Sequence, residues 1–169
     1  MVQYLYLIFL LSVSLVLEVL FRSVGIYVPL SAFAVFYAAF LCGFLPGTLF
    51  GLAAGFLIDS LLGHVYPVSM LFYLLLLLPV WLLRENHFDP RALWIQMGIG
   101  FLTVLLVLLP PVPFRGGWQI TLELLPSFFL ASLFSALLLP LFILMADGFS
   151  GLLKLRTYTA CSRYRRTDD

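Results

Sequence analysis

Residues 45–63 read LPGTLFGLAAGFLIDSLLG, and this stretch decides the fold. It is apolar apart from Thr48, Asp59 and Ser60, and it sets Gly47, Gly51, Gly55, Asp59 and Gly63 at a uniform spacing of four. An apolar run of this length without period-2 alternation reads as a helix rather than a strand. At about 3.6 residues per turn, a row of residues four apart follows one continuous ridge that drifts slowly around the helix. Glycines turn that ridge into a groove of missing side chains, which another helix can approach closely. In lipid, where the hydrophobic incentive for helix contact is absent, van der Waals packing along such small-residue rows drives association. The groove serves either packing within the chain or a partner protein. Ala39 and Gly43 in the preceding run extend the supply of small residues for the first of these.

Outward from this stretch the chain keeps the same character. Of its 169 residues 63% are hydrophobic and only 10% charged, and its mean hydropathy is +1.13, which lies outside the soluble globular range. Apolar runs cover about 3–21, 27–44, 46–62, 66–83, 92–110 and 124–146. Backbone groups in hydrocarbon must be paired within their own segment or in a closed barrel, so these runs are helices. The expected fold is an all-α integral membrane protein, a compact bundle of about six short transmembrane helices over residues 1–153, followed by a basic cytoplasmic tail at 154–169. No soluble domain fits in the remaining length. Met1 to Leu20 lacks the basic start and the small-residue cleavage site of a secretory signal, so it reads as a retained first span.

The second and third runs are separated only by residues 42–47, Cys-Gly-Phe-Leu-Pro-Gly. Joined as one kinked helix of about 35 residues they would exceed a hydrocarbon core of about 30 Å. A tight hairpin is expected instead, with the new helix starting at Pro46, where the missing N–H suits a first turn.

Charge sets the orientation. With the N-terminus cytoplasmic, the inner side carries Arg84, Arg91, Lys154, Arg156, Arg163, Arg165 and Arg166, against Arg22 and Arg115 outside. The positive-inside rule then places both termini in the cytoplasm. Five spans remain the alternative if the 27–62 region is re-entrant. Between the last two runs, Pro110 to Trp118 reads as a proline-stiffened outer loop closed by an interfacial aromatic. Past the sixth run, Phe149, Leu152, Leu153 and Leu155 alternate with Lys154 and Arg156, either as an element lying on the inner lipid surface or as a frayed helix end.

Asp59 is a carboxylate placed in an apolar run, where charge costs several kcal/mol unless it is paired, solvated or protonated. It is expected near the outer end of its helix, accepting hydrogen bonds from the Gly63 to Pro67 turn or meeting a ligand or partner. Glu18 and Arg22, four apart, are expected to pair on a helix face. His64 and His87 fall on opposite sides of the membrane, so no nucleophile, base and orienting group can gather around them. Cys42 and Cys161 give neither a disulfide framework nor a metal-ligand spacing. No enzyme, cofactor, metal site or nucleic-acid partner is expected. A small-molecule binder would need several convergent polar groups, and Glu18, Asp59, His64 and Arg115 are the only candidates.

Residues 45–86 resemble the central signature of the MreD family of rod shape-determining proteins, through Gly47, Gly51, Gly55, Leu57, Ile58, Asp59 and Gly63. Val28-Pro29-Leu30 before an aromatic-rich run is similar to the start of that family's second helix. Tyr66 and Pro67 depart from the family, whose members often carry a small residue and Gly after the turn. The resemblance implies a non-enzymatic scaffold of the bacterial inner membrane that binds MreC. Such a scaffold works with MreB filaments, the RodA glycosyltransferase and its partner transpeptidase, and with membrane lipids, coupling the cytoskeleton to peptidoglycan insertion. The alternative is the substrate-binding membrane subunit of an energy-coupling-factor vitamin transporter, also a small six-helix protein, whose small-residue contact with its transport partner resembles the glycine row.

Overall fold

A computed structural model describes residues 2–26, 28–63, 68–85, 92–108, 111–155 and 157–158. These residues form six α-helices and, among them, no strand. The helices are α1 Val2–Ser23, α2 Leu30–Cys42, α3 Phe44–Leu61, α4 Val68–Glu85, α5 Leu93–Leu108 and α6 Pro111–Leu152. Among the described residues, three segments are long and apolar enough to cross a membrane: Val2–Ser23, Phe44–Leu61 and Phe128–Leu152. Shorter apolar helical stretches occupy Leu30–Cys42, Ser69–Leu78 and Leu93–Leu105.

The hairpin between α2 and α3 turns on one residue. Gly43 has φ 96° and ψ 179°, a region open essentially to glycine alone, while its N–H still donates to Ala39 O at 3.0 Å. α3 therefore begins at Phe44, two residues before the expected start. Pro46 is its third residue and its absent N–H is one of the donors a first turn leaves unpaired anyway. The other end of α3 closes on Gly63, whose φ of +67° makes the left-handed stop common after helices. There Leu62 N donates to Ile58 O at 3.0 Å and Gly63 N to Ser60 O at 3.3 Å.

The expected loop from Pro110 to Trp118 is corrected, because the backbone is helical from Pro111 onward. Pro111 and Pro113 occupy the first and third positions of α6, where proline's fixed φ and missing N–H favour a helix start. Residues that read as loop stiffeners are thus helix initiators. At about 1.5 Å per residue, the 42 residues of α6 reach about 63 Å, roughly twice a hydrocarbon core. Among the described residues, its Phe128–Leu152 stretch is long and apolar enough for a bilayer.

α2 is the centre of the bundle. Every residue from Ser31 to Leu41 is buried, enclosed by α1, α3 and α4 and touched by α6, while α5 and α6 pair with each other and meet the rest mainly through α4 and α2. The outside is the reverse of a water-soluble protein. Phe9, Leu20, Leu49, Phe56, Leu130, Phe134 and Leu144 are exposed, whereas Ser14, Glu18, Ser31, Asp59, Gln96, Thr103 and Ser132 are buried. Water would select against that distribution, and a hydrocarbon surround favours it.

Candidate functional site

The glycine row faces inward, and its drift around α3 takes it from one neighbour to the next. A Cβ on Gly47 would lie 2.4 Å from Ala39 Cβ on α2, and one on Gly55 would lie 2.4 Å from Met70 Cα on α4. Gly51, between them, would place its Cβ 3.4 Å from Val35 Cγ1 of α2 and 3.7 Å from Tyr73 O of α4, ordinary contact distances. The first two glycines thus allow backbones to touch, and the row is a packing seam between α3 and its two partners. Gly63 is different in kind: a Cβ there would meet nothing within 4 Å, and its role is the positive φ of the helix stop. A second close approach, not anticipated, joins α5 to α6. A Cβ on Gly100 would fall 2.7 Å from Ser135 O and 3.0 Å from Ala136 Cα.

Asp59 lies at the end of the same seam and is 3% exposed. Its Oδ2 accepts the Ser69 backbone N–H at 2.9 Å. Ser69 is the second residue of α4, so a carboxylate from the last turn of α3 satisfies a donor that α4 cannot satisfy itself, at the positive end of that helix's dipole. The Gly55 contact with Met70 and the Asp59 bond to Ser69 act on adjacent residues, fixing the start of α4 on α3. Among the described residues the donor to Asp59 is Ser69; His64 to Pro67, in the turn where donors were expected, lie outside the described residues.

At the same end of the bundle, Glu18 and Arg22 form the expected ion pair at 2.7 Å, but inside the protein rather than on its surface. Glu18 is fully buried, and its Oε2 accepts both the backbone N–H and the hydroxyl of Ser31 at the start of α2. The Ser31 hydroxyl is also hydrogen-bonded to Tyr73 OH of α4. One acid therefore ties three helices together. Sequence reading missed Ser31 and Tyr73, because no local spacing connects residues 18, 31 and 73.

The opposite end holds a third acid. Asp147 Oδ1 accepts the Tyr37 hydroxyl of α2 at 2.7 Å and the Tyr158 backbone N–H at 2.7 Å. Tyr6 OH of α1 donates to Ala146 O at 2.7 Å, so the beginning of α1 and the end of α6 share one end of the bundle. Tyr158 itself is fully buried, with its ring 4.3 Å from that of Phe40. Tyr158, within the expected 154–169 tail, is thus part of the core.

Among the cations expected to set topology, Lys154 is exposed and Arg84 lies in the last turns of α4. Arg91, Arg156, Arg163, Arg165 and Arg166 lie outside the described residues, as do His87 and Cys161. Among the described residues no three His, Cys, Asp or Glu side chains converge where they could hold a metal ion. Among the described residues, each of the three acids accepts hydrogen bonds from another element of its own chain. Comparisons with protein-family models, with curated proteins and with solved structures found no match for this chain.

Proposed function

We propose that the chain is a six-span scaffold of the bacterial inner membrane, of the MreD type, with both termini cytoplasmic. In that role it binds MreC and helps couple MreB filaments to the RodA glycosyltransferase and its transpeptidase partner during peptidoglycan synthesis and maintenance of rod shape. The observation that carries the proposal is the engagement of Glu18, Asp59 and Asp147 in joining helices of the chain itself. Acids committed to cohesion leave a protein that acts through the shape of its outer surface. The glycines and Asp59 that underlie the family resemblance are the residues that fix α2, α3 and α4 together, a rigid centre suited to presenting such a surface.

The six-span topology draws support from the Tyr6 to Ala146 bond, since a chain that starts and finishes on one side crosses an even number of times. α2, with 13 residues and a length of about 20 Å, is short for a lipid-facing span, but its neighbours enclose it and its ends need not reach the interfaces on their own. Lys154 and the tail cations lie beyond the α6 end of the bundle in sequence, which makes that end the cytoplasmic one under the positive-inside rule.

Co-expression of the full chain with MreC from the same organism, followed by affinity purification in mild detergent, tests the proposal. MreC should be retained in stoichiometric amount. Loss of MreC from a chain that accumulates normally in the membrane would refute it.

A further inference from the structure

We propose that α6 turns through roughly a right angle at Pro126, and that residues 111–125 lie flat in the lipid headgroup zone as an arm that binds the membrane surface. The inference rests on the chain crossing a bilayer and not on the scaffold role.

The turn follows from how α5 meets α6. A Cβ on Gly100 would lie 3.0 Å from Ala136 Cα, so the two Cα atoms are within about 5 Å of each other. From Gly100, α5 climbs about 12 Å to Leu108, and the three links of chain to Pro111 add at most about 11 Å. Pro111 therefore lies within about 28 Å of Ala136. A straight helix between the same two residues would measure about 37 Å. α6 is helical throughout this stretch and cannot be straight along it. Of its two interior prolines, Pro126 falls inside the stretch and Pro140 beyond it. Proline removes one backbone bond and crowds the carbonyl four residues earlier, the usual cause of a sharp helix bend. Closing about 37 Å to about 28 Å at that position takes a turn close to a right angle.

The place of the turn matches a bilayer. From Pro126 to Asp147, the acid at the other end of the bundle, α6 measures about 32 Å, the thickness of a hydrocarbon core. With Asp147 at one boundary Pro126 is at the other, and the preceding arm, about 22 Å long, runs along that surface instead of away from it. The sequence of the arm suits lipid. Phe114, Trp118, Leu122 and Leu125 recur at intervals of four, four and three, and Arg115, Gln119 and Glu123 recur at intervals of four beside them. At helical periodicity the two sets make an apolar and a polar strip, the pattern of helices that lie in a membrane interface, where tryptophan is also favoured. Arg115 and Glu123 are the only charged residues of the arm and cancel, so apolar burial rather than lipid charge holds it, and a neutral lipid suffices.

Trp118 reports its own depth once Trp81→Phe and Trp94→Phe leave it as the sole tryptophan of the full chain. In phosphatidylcholine vesicles its fluorescence should be quenched most by lipids brominated at a shallow acyl position, less by lipids brominated at a deep position, and least by iodide in the water. Strongest quenching by iodide would mean an arm standing out in water, and strongest quenching by the deep label an arm inserted as a further span; either overturns the proposal. Spin labels test the turn separately. At Val112→Cys and Phe149→Cys, in a background of Cys42→Ser and Cys161→Ser, they should lie at most about 42 Å apart, against about 55 Å along a straight helix. A separation at the straight-helix value would overturn the proposal as well.

Discussion

A methyl group added at Gly55 would lie 2.4 Å from Met70 Cα and 2.7 Å from Met70 N, both backbone atoms that cannot step aside. The same methyl at Gly51 meets Val35 Cγ1 at 3.4 Å, and at Gly98 it meets nothing. Equal changes at three helical glycines should therefore have unequal effects. Gly55→Ala should lower thermal stability by several degrees in detergent, a cost of about 1 to 3 kcal/mol for overpacking. Gly51→Ala should be tolerated, and Gly98→Ala should be neutral or stabilising by up to about 1 kcal/mol, since alanine is the better helix former. Gly63→Ala should cost about 1 kcal/mol through its positive φ despite the open space around it. Equal melting temperatures for Gly51→Ala and Gly55→Ala would contradict the packing described. At Asp59 the discriminating pair is Asn against Leu. Asn keeps an acceptor for the Ser69 N–H, whereas Leu leaves that donor buried and unpaired at about 1 to 3 kcal/mol. Thermal unfolding should rank parent, Asp59→Asn, Asp59→Leu in descending order, and equal loss in the two variants would make charge the decisive property.

Among the elements, α2 depends on acids supplied by its neighbours. Glu18 of α1 holds Ser31 at one end of it and Asp147 of α6 holds Tyr37 toward the other. Removing one member of a buried pair leaves the other uncompensated, so Glu18→Ala should destabilise by about 3 to 5 kcal/mol. The double variant Glu18→Ala with Arg22→Ala should be less damaging than the sum of the two single changes, because it removes both charges of the 2.7 Å pair. Additive losses in unfolding measurements would show that the pair is not coupled. The elements also show what a single sequence can convey. The glycine row and Asp59 were legible because a spacing of four and a carboxylate in an apolar run are local patterns with direct physical meaning. The hairpin at Gly43 was placed within a few residues, since bilayer thickness forbids one long helix. The meeting of Glu18 with Ser31 and Tyr73 was not legible, because it depends on the register between helices, and register is set by packing across the whole bundle. Tyr158 was hidden for a related reason: a lone tyrosine beside basic residues carries no local sign that it turns back into the core. Pro111 and Pro113 misled because proline breaks a helix in its interior and favours one at its start, and the outcome depends on where the helix begins.

At the scale of the molecule, many large apolar side chains are exposed around a buried apolar core that also encloses polar groups, with the acids at the two ends of the bundle acting as ties between helices. A chain built in this way meets its surroundings largely through apolar surface. Both ends should lie on the same side of the membrane: reporter tags fused before Val2 and after Asp169 should both be shielded from a membrane-impermeant reagent added to intact spheroplasts. A tag labelled at one end only would favour an odd number of crossings. The most direct measurement of the scaffold account is affinity capture of the tagged full-length chain from native membranes, with co-purifying proteins identified by mass spectrometry. Recovery of MreC together with RodA and its transpeptidase is the predicted result, and recovery of a pair of transport ATPases in their place would contradict the account.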